Sequence, residues 1–277
     1  MKGRSMKVQQ TGMGFAYNQK QNTALSQKNN KTQQSQNMNG TPYVGAYYMP
    51  VINFRGDSEK VLVTKKDEAG NKILDKYGNP VIRLNPEIKK AMDKETFEFT
   101  GPDGEKFTGT VKEALLAYIR DIRDLDENRY SGLYHGSSLE SIKKIKEQGP
   151  DPRKTTSVGF GPGMYFAFSE GDAHDYSGAK IKADLQQHKR EDGVTGKFAV
   201  FNGLFYRNIK TPEVAKKLQE ITPTSTDIDS LLNDYCREIL VDDLKIDAGY
   251  GFARSHHPCV IVFNPDVISN IRNSNEY

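Results

Sequence analysis

The run Leu133-Tyr134-His135-Gly136-Ser137 ends an apolar stretch in a histidine followed at once by glycine. A histidine at a strand end offers a ring donor, and a glycine without Cβ lets a flat ligand approach the main chain. Thirty residues on, Gly159, Gly161 and Gly163 make a turn able to take positive φ, and the turn delivers Tyr165 and Phe166 at the head of a strand. Tyr176 follows 11 residues after Tyr165, on a segment expected to be helical, so its ring can return to the same place. Two tyrosine faces and a glycine backbone form a slot for a planar heteroaromatic ring. Taken singly, His135 reads more simply as a satisfied histidine, and Phe166 reads as core. The order and spacing of the two segments give them a joint meaning.

LYHGS, a helix, GFGPGMYFA and then Tyr176 resemble the catalytic domain of poly(ADP-ribose) polymerases and diphtheria-type toxins, the H-Y-E class of ADP-ribosyltransferases. The likeness covers about Tyr130 to the carboxy terminus and includes a closing strand, CVIVFNPDVI. It implies that NAD is the substrate. His135 would bond a ribose hydroxyl, the Gly136 main chain would hold the nicotinamide carboxamide, and Tyr165 and Tyr176 would sandwich the ring. Ser137 would assist at the ribose. Gly163 would shape the turn, and Arg153, in the place of the family's donor loop, would reach the pyrophosphate. The activity implied is mono-ADP-ribosyl transfer to a macromolecular acceptor, protein or nucleic acid, in a bacterial toxin or effector. NAD glycohydrolysis and silent NAD or ADP-ribose binding are the alternatives.

The sequence departs from that pattern at two places. The family often opens its last strand with a glutamate that anchors a ribose hydroxyl, and here the position aligns with Cys259. Glu238, in REILV, is the rival candidate, but Leu231, Leu232, Tyr235 and Ile239 keep helical spacing, so Glu238 is expected on a helix and solvated. Without an acid at Cys259, chain elongation is not expected. Ala173 stands where a serine would bond the carboxamide, a loss of about 1 kcal/mol. The R-S-E pattern of arginine-directed toxins is not apparent.

The elements that must position these residues can be read in outline. Residues 1–40 are Gln/Asn-rich and nearly free of aliphatic side chains, which predicts a disordered basic arm. Residues 41–129 read as a β-rich segment ending in an amphipathic helix, with Val111, Leu115, Ile119 and Ile122 on its buried face. Residues 130–277 read as the catalytic domain. There Ser138 is expected to cap a helix that buries Ile142 and Ile145 and stops at Gly149. A second helix is expected over GDAHDYSGAKIKADLQQHK, a strand over KFAVFNGLFYR, and helices over VAKKLQEI and DIDSLLNDYCREIL. The fold class is α+β. The resemblance implies an ADP-ribosyltransferase fold of two packed, mostly antiparallel sheets with flanking helices.

Composition narrows the partners. The net charge of +3 divides into +7 over residues 1–56 and −4 over the rest, so the folded portion has no basic footprint for duplex nucleic acid. Two cysteines, Cys236 and Cys259, exclude a disulfide framework and a four-cysteine zinc site. His256, His257 and Cys259 are tightly spaced for tetrahedral zinc and lack an obvious fourth ligand, so the pair reads as a loop that is inert or contacts substrate, and no metal is expected. No apolar run of membrane-spanning length occurs, and the first residues lack the apolar core of a secretory signal. The expectation is a cytoplasmic protein, or one exported as an effector without a signal peptide.

Overall fold

The structure, a computed structural model, describes residues 61–154, 161–174, 179–190, 192–203, 205–252 and 258–274. All of them lie in one compact unit that begins at Phe54. The 1–40 arm, Tyr176, His256 and His257 fall outside the described residues.

The strands are β1 (Leu62–Thr64), β2 (Ile82–Leu84), β3 (Phe97–Thr100), β4 (Lys106–Gly109), β5 (Ile119–Arg123), β6 (Leu133–Ser137), β7 (Met164–Ala167), β8 (Ala179–Leu185), β9 (Lys197–Phe201), β10 (Ile246–Phe252), β11 (Pro258–Val262) and β12 (Ile268–Asn273). The helices are α1 (Pro86–Met92), α2 (Val111–Ala117), α3 (Leu139–Gln148), α4 (Glu170–His174), α5 (Phe205–Ile209), α6 (Pro212–Ile221) and α7 (Ile228–Glu238). The fold is α+β. One eight-stranded sheet runs β12-β8-β6-β7-β11-β10-β9-β5, and β1-β2 and β3-β4 form separate two-stranded sheets. Every pair in the large sheet is antiparallel except β9–β10.

The expected pair of packed sheets is therefore corrected to a single hydrogen-bonded sheet with a weak seam. β6 pairs with β8 along its whole length, from Leu133↔Ala183 to Ser137↔Ala179. With β7 it shares one pair, Tyr134↔Ala167. The three strands on one side of the seam and the five on the other are thus joined mainly at Tyr134.

Alternation along the strands sends side chains to two cores. On one face Ala199, Phe201, Cys259, Ile261 and Phe263 meet helices α1, α2, α5, α6 and α7. On the other, Leu133, Phe166, Ile181, Val260 and Val262 meet Ile142 of α3. The helix ends follow local chemistry. Ser138 caps α3 by accepting from the Ser141 N–H, and Gly149 ends it. Thr110 and Glu113 form a reciprocal capping box on α2, a device worth about 1 kcal/mol.

Three expectations need correction. The helix expected to carry Ile119 and Ile122 stops at Ala117, and β5 follows it as an edge strand on β9, leaving Ile122 44% exposed. The helix expected beyond Gly171 is only Glu170–His174, and AKIKADL is β8. The reason is a period of two: Ile181, Ala183 and Leu185 are buried while Lys180, Lys182 and Asp184 are not. The strand read through KFAVFNGLFYR stops at Phe201, and Phe205–Ile209 is helical.

Candidate functional site

His135 sits on β6 one residue past the last pair to β7. Its Nδ1 lies 2.8 Å from the main-chain oxygen of Tyr165. A carbonyl oxygen only accepts, so Nδ1 carries the proton and Nε2 is left as an acceptor. The imidazole thus spans the seam where ladder pairing stops. Burial pushes the His135 pKa below its ordinary value, and the hydrogen bond to Tyr165 offsets that only in part. The ring is neutral at neutral pH, with its tautomer fixed by the strand beside it.

The register sets which side chains share a face. His135 lies opposite Ile181 of β8, and its ring is 5.6 Å from that of Phe166. Tyr165 alternates with Phe166, so its ring belongs to the other face, packed with the core that holds Cys259 and Ile261. The Tyr165 hydroxyl donates to the Gly161 carbonyl at 2.9 Å, which closes the glycine turn onto the strand it launches. His135 and Tyr165 therefore meet ring to main chain, not ring to ring.

Two glycines of the turn are required by the backbone and by packing. Gly161 has φ 103, a conformation other residues rarely adopt. A Cβ on Gly163 would stand 2.6 Å from Ile261 Cγ2 and 2.7 Å from the Val262 carbonyl oxygen. Gly163 lets β7 seat against β11, which is what brings Tyr165 to its place. Gly136 and Ser137 continue β6 along the seam, paired with Lys180 and Ala179 on their β8 side.

Cys259 occupies β11, opposite Ala167 of β7 and on the face of Tyr165. It is 5% exposed, and burial pushes its thiol up to about 12. It is a neutral packing residue, unlike the carboxylate the family places in its last strand. Ala173 lies on α4 and is buried.

Glu238 ends α7, as the helical spacing implied, but it is not solvated. It is 5% exposed and accepts a hydrogen bond from the Leu84 N–H of β2. Burial raises its carboxyl to about 7, against the opposing pull of the Leu84 amide and Arg237. Glu238 thus ties α7 to the β1–β2 hairpin. The signal that would have revealed it is its place after Tyr235 and Cys236, on the stripe of α7 that faces the core.

Arg153 lies in the short 3-10 turn Pro152–Lys154 after α3, where its Nε donates to Asp234 of α7 at 3.2 Å. Arg237 bonds the same carboxylate at 3.2 Å. Sequence reasoning missed this shared anchor, since nothing in the spacing of residues 153, 234 and 237 links the loop to the helix. Among the described residues, no group of three or more His, Cys, Asp or Glu stands together to hold a metal ion. No described helix is long and apolar enough to cross a membrane.

The site is thus a seam between β6 and β7, bridged by a neutral imidazole, flanked by a glycine turn and bounded beyond β7 by β11. No family model matches the chain, and no curated protein and no solved structure matches it significantly.

Proposed function

We propose that the chain is an NAD-dependent mono-ADP-ribosyltransferase, acting as a toxin or effector on a macromolecular acceptor. The observation that carries this reading is the hydrogen bond from His135 Nδ1 to the Tyr165 carbonyl across the β6–β7 seam. It joins the two segments whose joint pattern resembles the H-Y-E class, and it leaves Nε2 to accept a hydrogen bond from a ribose hydroxyl. The seam beside Gly136 is where a carboxamide would meet main chain; of the two rings the resemblance assigns, Tyr165 faces the other side of the sheet, which leaves Tyr176.

In the proposed reaction the bond between ribose C1′ and the nicotinamide nitrogen breaks, and its electron pair leaves with neutral nicotinamide. The sugar passes through an oxocarbenium-like state. An acceptor nucleophile then bonds C1′ from the opposite face and loses its proton. Positioning and electrostatics supply the acceleration. Cys259 provides no anion for a ribose hydroxyl, which supports single transfer over chain growth.

The same neutral thiol favours a second reading, a module that binds NAD without turning it over. Incubating the full chain with adenylate-labelled NAD and a cell lysate separates them. Label on protein or nucleic acid supports the transferase. Free ADP-ribose alone indicates a glycohydrolase, and unchanged NAD with saturable binding indicates the silent module.

A further inference from the structure

A cleft of about 660 Å³ lies between residues 73–83, the turn at 148–154, residues 188–190 and the end of α7. That volume falls in the usual range for small-molecule sites, roughly 300–1,000 Å³. Nine Lys or Arg residues line it against six carboxylates. Several of the lysines are already neutralised, Lys65 by Asp242 at 2.9 Å and Lys245 by Asp192 at 3.3 Å.

The surplus lies with the other cations. Arg153 and Arg237 share the one carboxylate of Asp234, at 3.2 Å each. Arg83 and Lys189 line the cleft with no carboxylate partner among the described residues. Arg190, by contrast, is paired with Asp247, and the Nε atoms of Arg83, Arg190 and Arg237 are buried away from the cleft. Glu238, also in the wall, holds its proton up to about pH 7, so near neutrality one of the six acids contributes less than a full negative charge. Cationic side chains without a carboxylate partner of their own favour an oxyanion, because phosphoryl oxygens accept charge-assisted hydrogen bonds from arginine and lysine. Ile73, Val81, Ile82 and Val241 also line the cleft and give it apolar wall.

From this juxtaposition we infer that the cleft binds an organic phosphate, its phosphoryl oxygens on Arg83, Lys189 and the Arg153–Arg237 pair and its less polar body on the Ile73–Val81–Val241 side. The inference goes beyond ADP-ribosyl transfer, and of its anchors only Arg153 was assigned toward NAD.

Titration calorimetry of the full chain with ADP, inorganic pyrophosphate and adenosine tests it. The expected result is saturable 1:1 binding of ADP, weaker binding of pyrophosphate and none of adenosine. A double Arg83→Gln, Lys189→Ala variant is expected to bind ADP at least tenfold more weakly, while Lys106→Ala, outside the cleft lining, binds as the wild type does. Neither Arg83 nor Lys189 makes an ion pair among the described residues, so folding should survive, as circular dichroism would show. If the double variant misfolds, Lys189→Ala alone is expected to weaken ADP about threefold. Absence of saturable ADP binding, equal binding of adenosine, undiminished binding by the folded cleft variants, or loss in Lys106→Ala would each overturn the inference. Label transfer from NAD is a separate readout, so either result can fail alone.

Discussion

His135 spends one ring nitrogen on Tyr165 and keeps the other as an acceptor, and it can do both only while neutral. Its lowered pKa means that the native state resists protonation below the ordinary value of 6.5. An unfolded histidine takes up a proton as pH falls through 6.5, so stability from this residue is present above that pH and declines below it toward the native pKa. If the seam turns over NAD, the acid limb of nicotinamide release against pH should fall below 6.5. A limb at or above 6.5 would mean the imidazole is not the titrating group. Cys259 permits a contrasting expectation. Its buried, neutral thiol has only packing to lose, so Cys259→Ala should cost about 1 kcal/mol in denaturant unfolding and leave nicotinamide release within a few fold. Complete loss of activity in a folded Cys259→Ala protein would assign the sulfur a chemical role. Both residues were visible in the sequence as positions. What was not visible was which face each occupies, because that depends on a register set by partners 30 and more residues away.

At the scale of the element, α7 shows how much a helix can owe to one buried acid. Folded Glu238 keeps its proton up to about pH 7, whereas an unfolded glutamate keeps its own only to about 4.5. The native state binds the extra proton in that window, so stability is greatest below pH 4.5 and falls as pH rises through 7. The difference is about 3 kcal/mol, and Gln at this position keeps an acceptor for the Leu84 N–H while removing the titration. Urea unfolding at pH 5 and pH 8 should therefore show wild type losing stability relative to Glu238→Gln. Parallel curves for the two proteins would contradict the burial of the charge. Element types were legible where caps and period agreed, as in α3 with Ser138, Ile142 and Gly149. They failed where two periods compete. In VKEALLAYIRDIRDL the helical stripe runs on past Tyr118, but pairing of Ile119–Arg123 with β9 wins. AKIKADL fell within the helix expected over GDAHDYSGAKIKADLQQHK, and its place as a strand between β6 and β12 is what buries Ile181 and Leu185.

Over the whole molecule, the boundary read at residue 129 does not divide the core. Val61, Leu84, Phe99, Val111 and Leu115 pack in the same cluster as Phe201, Tyr235, Ile239 and Phe263. A fragment of residues 130–277 exposes that cluster and removes β5 from the sheet edge, so it should fail to unfold cooperatively. A fragment beginning at Phe54 should unfold as the full chain does. Cooperative melting of 130–277 alone would contradict this. Local pattern revealed the α+β class, but contacts joining residues 61–118 to 199–263 have no signature within either segment. The proposed reaction, cleavage of NAD at the β6–β7 seam, can be tested at this scale on the full chain. The direct measurement is release of carbonyl-labelled nicotinamide from NAD by the wild-type chain and by folded His135→Ala. The account predicts release by wild type and a loss on the order of 100-fold in the variant. Equal release by both proteins, or none by wild type across a wide range of NAD concentration, would contradict it.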